Sequence, residues 1–176
     1  MPMTSKTDLL IITASNGENL KLAQRFARIG TKLGKTAELL DLTSLDLPLY
    51  NPRFHAQKGI PPLTKSLSIQ MREVPHWVIC APEYNGSIPP VFTSALAWLS
   101  VQEEDFRNLF NGRPIAMATF SGGGGMELLL SMRIQLTHLG AQVVGRQLIS
   151  NNTKQAKDES IEDLLKRLLQ MKQLLL

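Results

Sequence analysis

Short apolar runs alternate with segments of helical periodicity along the whole chain. That alternation calls for a largely parallel sheet with helices packed on both faces. The first strand is predicted over Asp8–Thr13, a continuous apolar run suited to burial on both sides. A helix is predicted over Asn19–Leu33, with Leu22, Phe26 and Ile29 at core spacing and Gly34 as its stop. Further strands are expected at Thr36–Leu40, His76–Cys80, Ile115–Phe120 and Ala141–Leu148. Further helices are expected from Pro61 or Pro62 to Glu73, over Pro90–Ser100, over Met126–Leu139, and from Asp158 to Leu175. Ser160, Asp158 and Glu159 are expected to cap the last helix and match its dipole. Asp41–Ile60 reads as a long irregular connection and Asn151–Lys157 as a polar loop.

Five strands and five helices in this order describe an α/β three-layer sandwich of flavodoxin-like type. Its usual strand order, 2-1-3-4-5, opens a crevice between strands one and three. The 176 residues fit one domain, with 43% hydrophobic and 19% charged residues. No apolar run approaches the roughly 20 residues that span a bilayer. The polar start, Met1–Thr7, and the short run Leu9–Ile12 do not make a signal peptide, so a cytoplasmic location is the expectation. The net charge of +4 is spread along the chain, with no dense basic run carrying interleaved aromatics, so nucleic acid is not expected as a partner. The single Cys80 sits in an apolar strand and reads as a buried, inert thiol. No metal-ligand spacing and no nucleophile-elbow pattern is present, and His55, His76 and His138 read as structural or exposed.

Three loops would meet at one rim of such a sheet, and all three are unusual. The first, Thr13-Ala14-Ser15-Asn16-Gly17-Glu18-Asn19-Leu20, is rich in hydroxyls and amides and leads into a helix N-terminus, where an anion such as phosphate is favoured. Ordinary N-capping by Ser15, Asn16 or Asn19 is the plainer reading. The second, Ala81-Pro82-Glu83-Tyr84-Asn85-Gly86-Ser87-Ile88-Pro89, is fenced by prolines, and its Asn-Gly centre permits positive φ. It would present backbone N–H groups at the carboxyl end of a strand, suited to a flat heterocycle. The third, Ser121-Gly122-Gly123-Gly124-Gly125, costs conformational entropy that a close backbone approach by a ligand would explain.

These residues resemble the NADPH-dependent FMN reductase family, which includes quinone, azo-dye and chromate reductases. The resemblance extends from the first strand to Gly145. It is carried by Leu47-Pro48-Leu49-Tyr50-Asn51, by Pro82–Pro89 with Ala95-Leu96-Ala97-Trp98-Leu99, by Ser121–Gly125, and by His138-Leu139-Gly140-Ala141. It implies that Pro82, Glu83, Tyr84, Asn85, Gly86, Ser87 and Ile88 line the isoalloxazine ring of FMN, with the amides of Asn85, Gly86 and Ser87 at its polar edge. Ser121, Gly122, Gly123 and Gly124 would close the other side. Thr13, Ser15, Asn16, Gly17, Glu18, Asn19 and Leu20 would hold the phosphate. It further implies an enzyme that moves hydride from NADPH or NADH through FMN to a small oxidised electron acceptor. A homodimer or homotetramer is implied as well. Trp98 and the Tyr50–Phe54 loop are candidate interface groups, or Trp98 simply covers the sheet. Arg53, Lys58 and Arg113 are candidates to meet a 2′-phosphate.

The first loop departs from the family's Gly-Ser-x-Arg-x-x-Ser-x-Asn pattern. Only Asn19, ahead of Leu22-Ala23, matches, while Ala14 and Gly17 fall near the family's Arg and second Ser. A charge-assisted phosphate bond is thus missing and Glu18 adds negative charge, so weak FMN binding is expected. Two other functions fit such a chain: a one-electron flavodoxin carrier, or a flavodoxin-like binding or regulatory module that has lost its cofactor.

Overall fold

Continuous apolar runs become the centre of a sheet because only burial on both faces suits them. The computed structural model describes residues 7–174. The expected polar start before Thr7 lies outside the described residues, and the last helix, predicted to run to Leu175, ends at Gln170, where Met171 turns extended.

Strands β1 (Leu9–Thr13), β2 (Ala37–Asp41), β3 (His76–Cys80), β4 (Pro114–Phe120) and β5 (Gln142–Val143) form a parallel sheet of order 2-1-3-4-5. Helices α1 (Glu18–Lys32), α2 (Pro52–Lys58), α3 (Leu63–Glu73), α4 (Pro90–Gln102), α5 (Met126–His138) and α6 (Asp158–Gln170) lie between and after the strands. Alternate residues of each central strand enter opposite cores. Leu10, Ile12, Trp77, Ile79, Ile115 and Met117 pack with Leu67, Met71, Leu96, Leu99, Leu128 and Met132 from α3, α4 and α5. Leu9, Ile11, Val78, Cys80, Ala116 and Ala118 pack with Leu22, Phe26, Ile161, Leu164 and Leu168 from α1 and α6. Cutting one such leucine to alanine costs about 2–5 kcal/mol in a core of this kind.

Three expectations are corrected. The predicted fifth strand, Ala141–Leu148, is split: β5 pairs with Pro114 and Ile115, whereas β6 (Leu148–Ser150) pairs with Ala118, Thr119 and Phe120. Between the two pairings β4 advances three residues and the opposite segment five, so two residues loop out as a bulge. Arg133 braces that bulge by donating to the Val144 carbonyl at 2.9 Å. The irregular connection after β2 holds α2, which begins with Pro52 and is capped by the Asn51 side chain accepting from the Arg53 amide at 2.8 Å. At α6, Lys157 occupies the N-cap and no side chain among the described residues caps the helix, so Ser160 does not cap it. Asp158 and Glu159 do lie in its first turn, and Asp158 pairs with Arg25 and Arg28 of α1.

The segment after β2 folds back over α4 and buries Trp98 completely. Trp98 Nε1 donates to the Pro48 carbonyl at 2.6 Å, and its ring meets Tyr50 edge-on at 4.9 Å. Trp98 therefore belongs to the interior of one chain and is not an interface group. Arg113 is also buried, at the amino end of β4, with its guanidinium 4.5 Å over the Trp77 ring and donating to the carbonyls of Leu109 and Val74. Burial pushes its pKa down to about 10. Closed in at the sheet edge opposite the three loops, Arg113 has no route to a cofactor phosphate.

Candidate functional site

The three loops meet at the carboxyl ends of β1, β3 and β4, because the parallel register aligns Thr13 with Cys80 and Cys80 with Ala118. Backbone bonds then carry the alignment into the loops. Ala14 N–H donates to the Cys80 carbonyl at 3.1 Å, and Ala81 N–H to the Ala118 carbonyl at 3.2 Å. Thr119 Oγ1 donates to the Ala81 carbonyl at 2.7 Å.

Side chains add two ties. Asn19, buried at the start of α1, grips the end of β4 from both sides of its amide. Its Nδ2 donates to the Phe120 carbonyl at 2.9 Å, and its Oδ1 accepts from the Phe120 amide at 2.8 Å. The same amide therefore positions the rim, with one of its two N–H donors committed to Phe120. Glu83 joins the second and third loops. Its Oε2 accepts from Ser121 Oγ at 2.7 Å and from the Gly125 amide at 3.1 Å. The Ser121 hydroxyl, with the Gly125 amide behind it, holds the carboxyl below the usual Glu range against the opposing effect of burial. The other oxygen, Oε1, is buried without a hydrogen-bond partner among the described residues.

The second loop turns tightly at its Asn-Gly centre. Asn85 (φ 51°) and Gly86 (φ 68°) both take the left-handed region, and Tyr84 and Ser87 exchange N–H···O bonds of 3.1 and 3.0 Å. This is a two-residue hairpin of the primed type that Asn-Gly favours. The Ser87 amide is consumed inside the hairpin, which corrects its expected place at a ligand edge. The amides of Asn85 and Gly86 carry no hydrogen bond among the described residues.

In the third loop the protein's own geometry requires glycine at one end only. Gly125 (φ 72°) is the N-cap of α5, and a Cβ there would stand 2.8 Å from Thr119 Cγ2. Sequence reasoning left Gly125 out of the site, although its place just ahead of a helix could have marked it. Gly122 has an ordinary φ, and a Cβ built on it would meet nothing within 4 Å. At Gly124 the nearest contact would be Glu127 Oε2, at 3.6 Å. Neither position is glycine for the chain's own packing.

In the first loop, Gly17 caps α1 without a side-chain bond, which corrects the expected capping by Ser15, Asn16 or Asn19. Ser15 Oγ accepts from the Gly17 amide at 3.1 Å and keeps its own proton to donate. Thr13 is buried, and its hydroxyl donates to the Ser15 carbonyl at 3.0 Å. Asn16, Gly17 and Glu18 are exposed, and Glu18 pairs with Lys21 at 2.6 Å. Leu20 is half-buried in the first turn of α1. The rim thus collects open amides, a hydroxyl donor and a helix N-terminus on an exposed ledge, which suits an anion at one end and a flat polar ring at the other. A cavity of about 880 Å³ opens at the opposite edge of the sheet, lined by Glu38, Ile69, Gln70, Arg72 and Pro75, away from these groups.

The chain is 32% identical over 103 residues to a quinone reductase of Escherichia coli K12, covering 57% of this chain and 53% of that protein. It is 33% identical over 90 residues to an NAD(P)H-dependent FMN reductase of Pseudomonas aeruginosa, covering 51% and 45% of the two chains. It thus spans about half the length of these curated relatives. The fold superposes on the FerB NAD(P)H:acceptor oxidoreductase of Paracoccus denitrificans with a TM-score of 0.67 at 21% identity, over 93% of this chain and 91% of that one. The profile of one family, NADPH-dependent FMN reductase, matches residues 7–155. With that match spanning both the sheet and the three rim loops, the chain belongs to the NADPH-dependent FMN reductase family.

Proposed function

We propose that this protein is an FMN-dependent oxidoreductase that takes hydride from NADPH or NADH and passes reducing equivalents to quinone-like or other small oxidised acceptors. The observation that carries the reading is the third loop. Gly122 and Gly124 have neither a strained backbone nor a close neighbour to explain them, and they adjoin a hairpin with two open amides. A flat ring lying against both loops would explain all four residues at once. FMN would supply the redox chemistry.

The chain's own groups bind and orient. The Asn85 and Gly86 amides would donate to the ring's polar edge, and Pro82, Tyr84 and Ile88 would flank it. Glu83 would keep Ser121–Gly124 at a fixed distance from the hairpin. Ser15 Oγ and the amides of Asn16, Glu18 and Asn19 would receive the phosphate at the α1 N-terminus, with Thr13 and Leu20 shaping the loop from below. No guanidinium stands in this loop and Glu18 is near it, so phosphate binding rests on neutral donors and the helix dipole. We place the protein in the cytoplasm, where NAD(P)H is the available reductant, and read it as a dimer or a dimer-based tetramer.

A second reading, a flavodoxin-like binding module without flavin, is favoured by the acidic Glu18 in the anion loop. Fluorescence titration with FMN followed by an NADPH oxidation assay with quinones separates the two. Saturable binding at low micromolar FMN with turnover supports the reductase. Absence of both at saturating FMN supports the module.

A further inference from the structure

The two ends of the rim are built unequally. At the hairpin end the amides of Asn85 and Gly86 carry no hydrogen bond among the described residues, and a Cβ built on Gly122 would meet nothing within 4 Å. At the α1 end several polar groups are already bonded inside the protein. The Thr13 hydroxyl donates to the Ser15 carbonyl, the Gly17 amide donates to Ser15 Oγ, and the Asn19 side chain is tied to Phe120. The hairpin end is open for a ring, whereas the α1 end is largely closed on itself.

Charge widens the difference. No Lys or Arg stands between Thr13 and Leu20, and Glu18 is the first residue of α1. The helix dipole supplies about half a positive charge at that end, set against the full negative charge of Glu18. Lys21, the first cation of the helix, is paired with Glu18 at 2.6 Å. Arg25 donates to Asp158 and to the Ala156 carbonyl, both at 2.7 Å, and Arg28 donates to Asp158 at 2.8 Å. A phosphate monoester carries about −1.5 to −2 charges at neutral pH. At this loop it would meet a carboxylate, with Lys21, Arg25 and Arg28 each already held by a carboxylate.

We infer that the site selects a flavin by its ring, with Glu18 set against a terminal phosphate, so that riboflavin is taken as readily as FMN. Riboflavin presents the same ring and ribityl chain and carries no charge. It gives up only the few neutral donors of the first loop and escapes the repulsion of Glu18. This specificity rests on the flavin-binding reading above and extends it to which flavins the site accepts.

Equilibrium Kd values for riboflavin and FMN, measured side by side by flavin fluorescence quenching at low and high salt, test it. The wild type is expected to bind the two flavins within roughly threefold of each other. Added salt is expected to leave both values unchanged, since no cation–phosphate pair is there to be screened. Glu18→Gln removes the carboxylate and frees Lys21, and is expected to tighten FMN by roughly threefold to tenfold while leaving riboflavin as it was. Asn16→Arg places a guanidinium in the exposed loop and is expected to create a preference for FMN of roughly tenfold. Circular dichroism checks that each variant is folded. Wild-type binding of FMN roughly tenfold tighter than of riboflavin, or weakened severalfold by salt, would overturn the specificity and leave the flavoenzyme reading standing. Glu18→Gln and Asn16→Arg variants that treat the two flavins alike would take the phosphate away from this loop and overturn the role of Glu18. Failure of both flavins to bind the wild type would overturn the flavin-binding reading, and this specificity with it.

Discussion

Glu83 Oε2 accepts a hydrogen bond from Ser121 Oγ at 2.7 Å, joining the loop after β3 to the loop after β4 across 38 residues of sequence. Ser121→Ala removes a hydrogen bond to a charged group, a loss of about 1.5–3 kcal/mol when such a pair is shielded and less at this half-exposed site. The expected outcome is a modest fall in Tm and a several-fold rise in the Kd for FMN, read by fluorescence quenching. Because the folded-state pKa of Glu83 is depressed, its contribution is full above the unfolded Glu pKa of about 4.3 and fades as the pH falls below it. An FMN affinity unchanged by Ser121→Ala would detach this pair from the site.

The glycine loop allows stability and binding to be separated. Gly125→Ala would force a left-handed residue and a Cβ 2.8 Å from Thr119 Cγ2, costing about 1–3 kcal/mol. Gly122→Ala meets no protein atom and is expected to be neutral or stabilising by up to about 1 kcal/mol. If FMN lies against this backbone, Gly122→Ala weakens its binding while leaving urea stability intact. Equal FMN binding by Gly122→Ala and the wild type would mean that nothing approaches there.

Trp98 makes a distinct stability prediction. Trp98→Phe leaves the Pro48 carbonyl without its donor and shrinks a fully buried ring, at a cost of about 1–3 kcal/mol. The denaturant midpoint is expected to fall with the slope unchanged. Dilution of the wild type through any dissociation should leave Trp emission unshifted, since both Trp77 and Trp98 are buried within one chain. A red shift on dilution would place Trp98 at an interface after all.

At the far face, hydrogen bonds from Arg25 and then Arg28 hold the Asp158 carboxyl down to about 2. The unfolded chain binds that proton near pH 3.9, so the stability contributed by Asp158 is present above about pH 4 and lost as the pH falls toward 2. Asp158→Asn is therefore expected to lower Tm at neutral pH, with the gap to the wild type closing between pH 4 and 2. A gap that stays constant across that range would remove the ion pair from the account.

Much of the site was legible because its cues are local. Pro82–Pro89 appeared as a constrained turn from the chemistry of Asn85 and Gly86 alone, and both residues take positive φ as that pair does in isolation. What the residues of the loops bond to was not legible. Asn19 looked like a loop residue at the phosphate end or a helix cap; Gly17 holds the cap position, and the Asn19 side chain is fastened to Phe120, 101 residues away. Ser87 looked like an open donor and is closed by Tyr84.

By itself, the alternation of apolar runs and helical segments determined a parallel sheet between helices, and the usual order of that fold type then gathers the loops at one rim. Burial on two faces leaves a strand's pattern in every successive residue, and His76–Cys80 was read to its exact bounds. Tertiary structure alone decided the split of the last strand, the burial of Trp98 under Pro48 and Tyr50, and the closing of Arg113 over Trp77. Those outcomes depend on which groups from distant segments arrive at the same place. A side chain's own chemistry fixes what it can bond, but only the packed chain fixes what is there to be bonded.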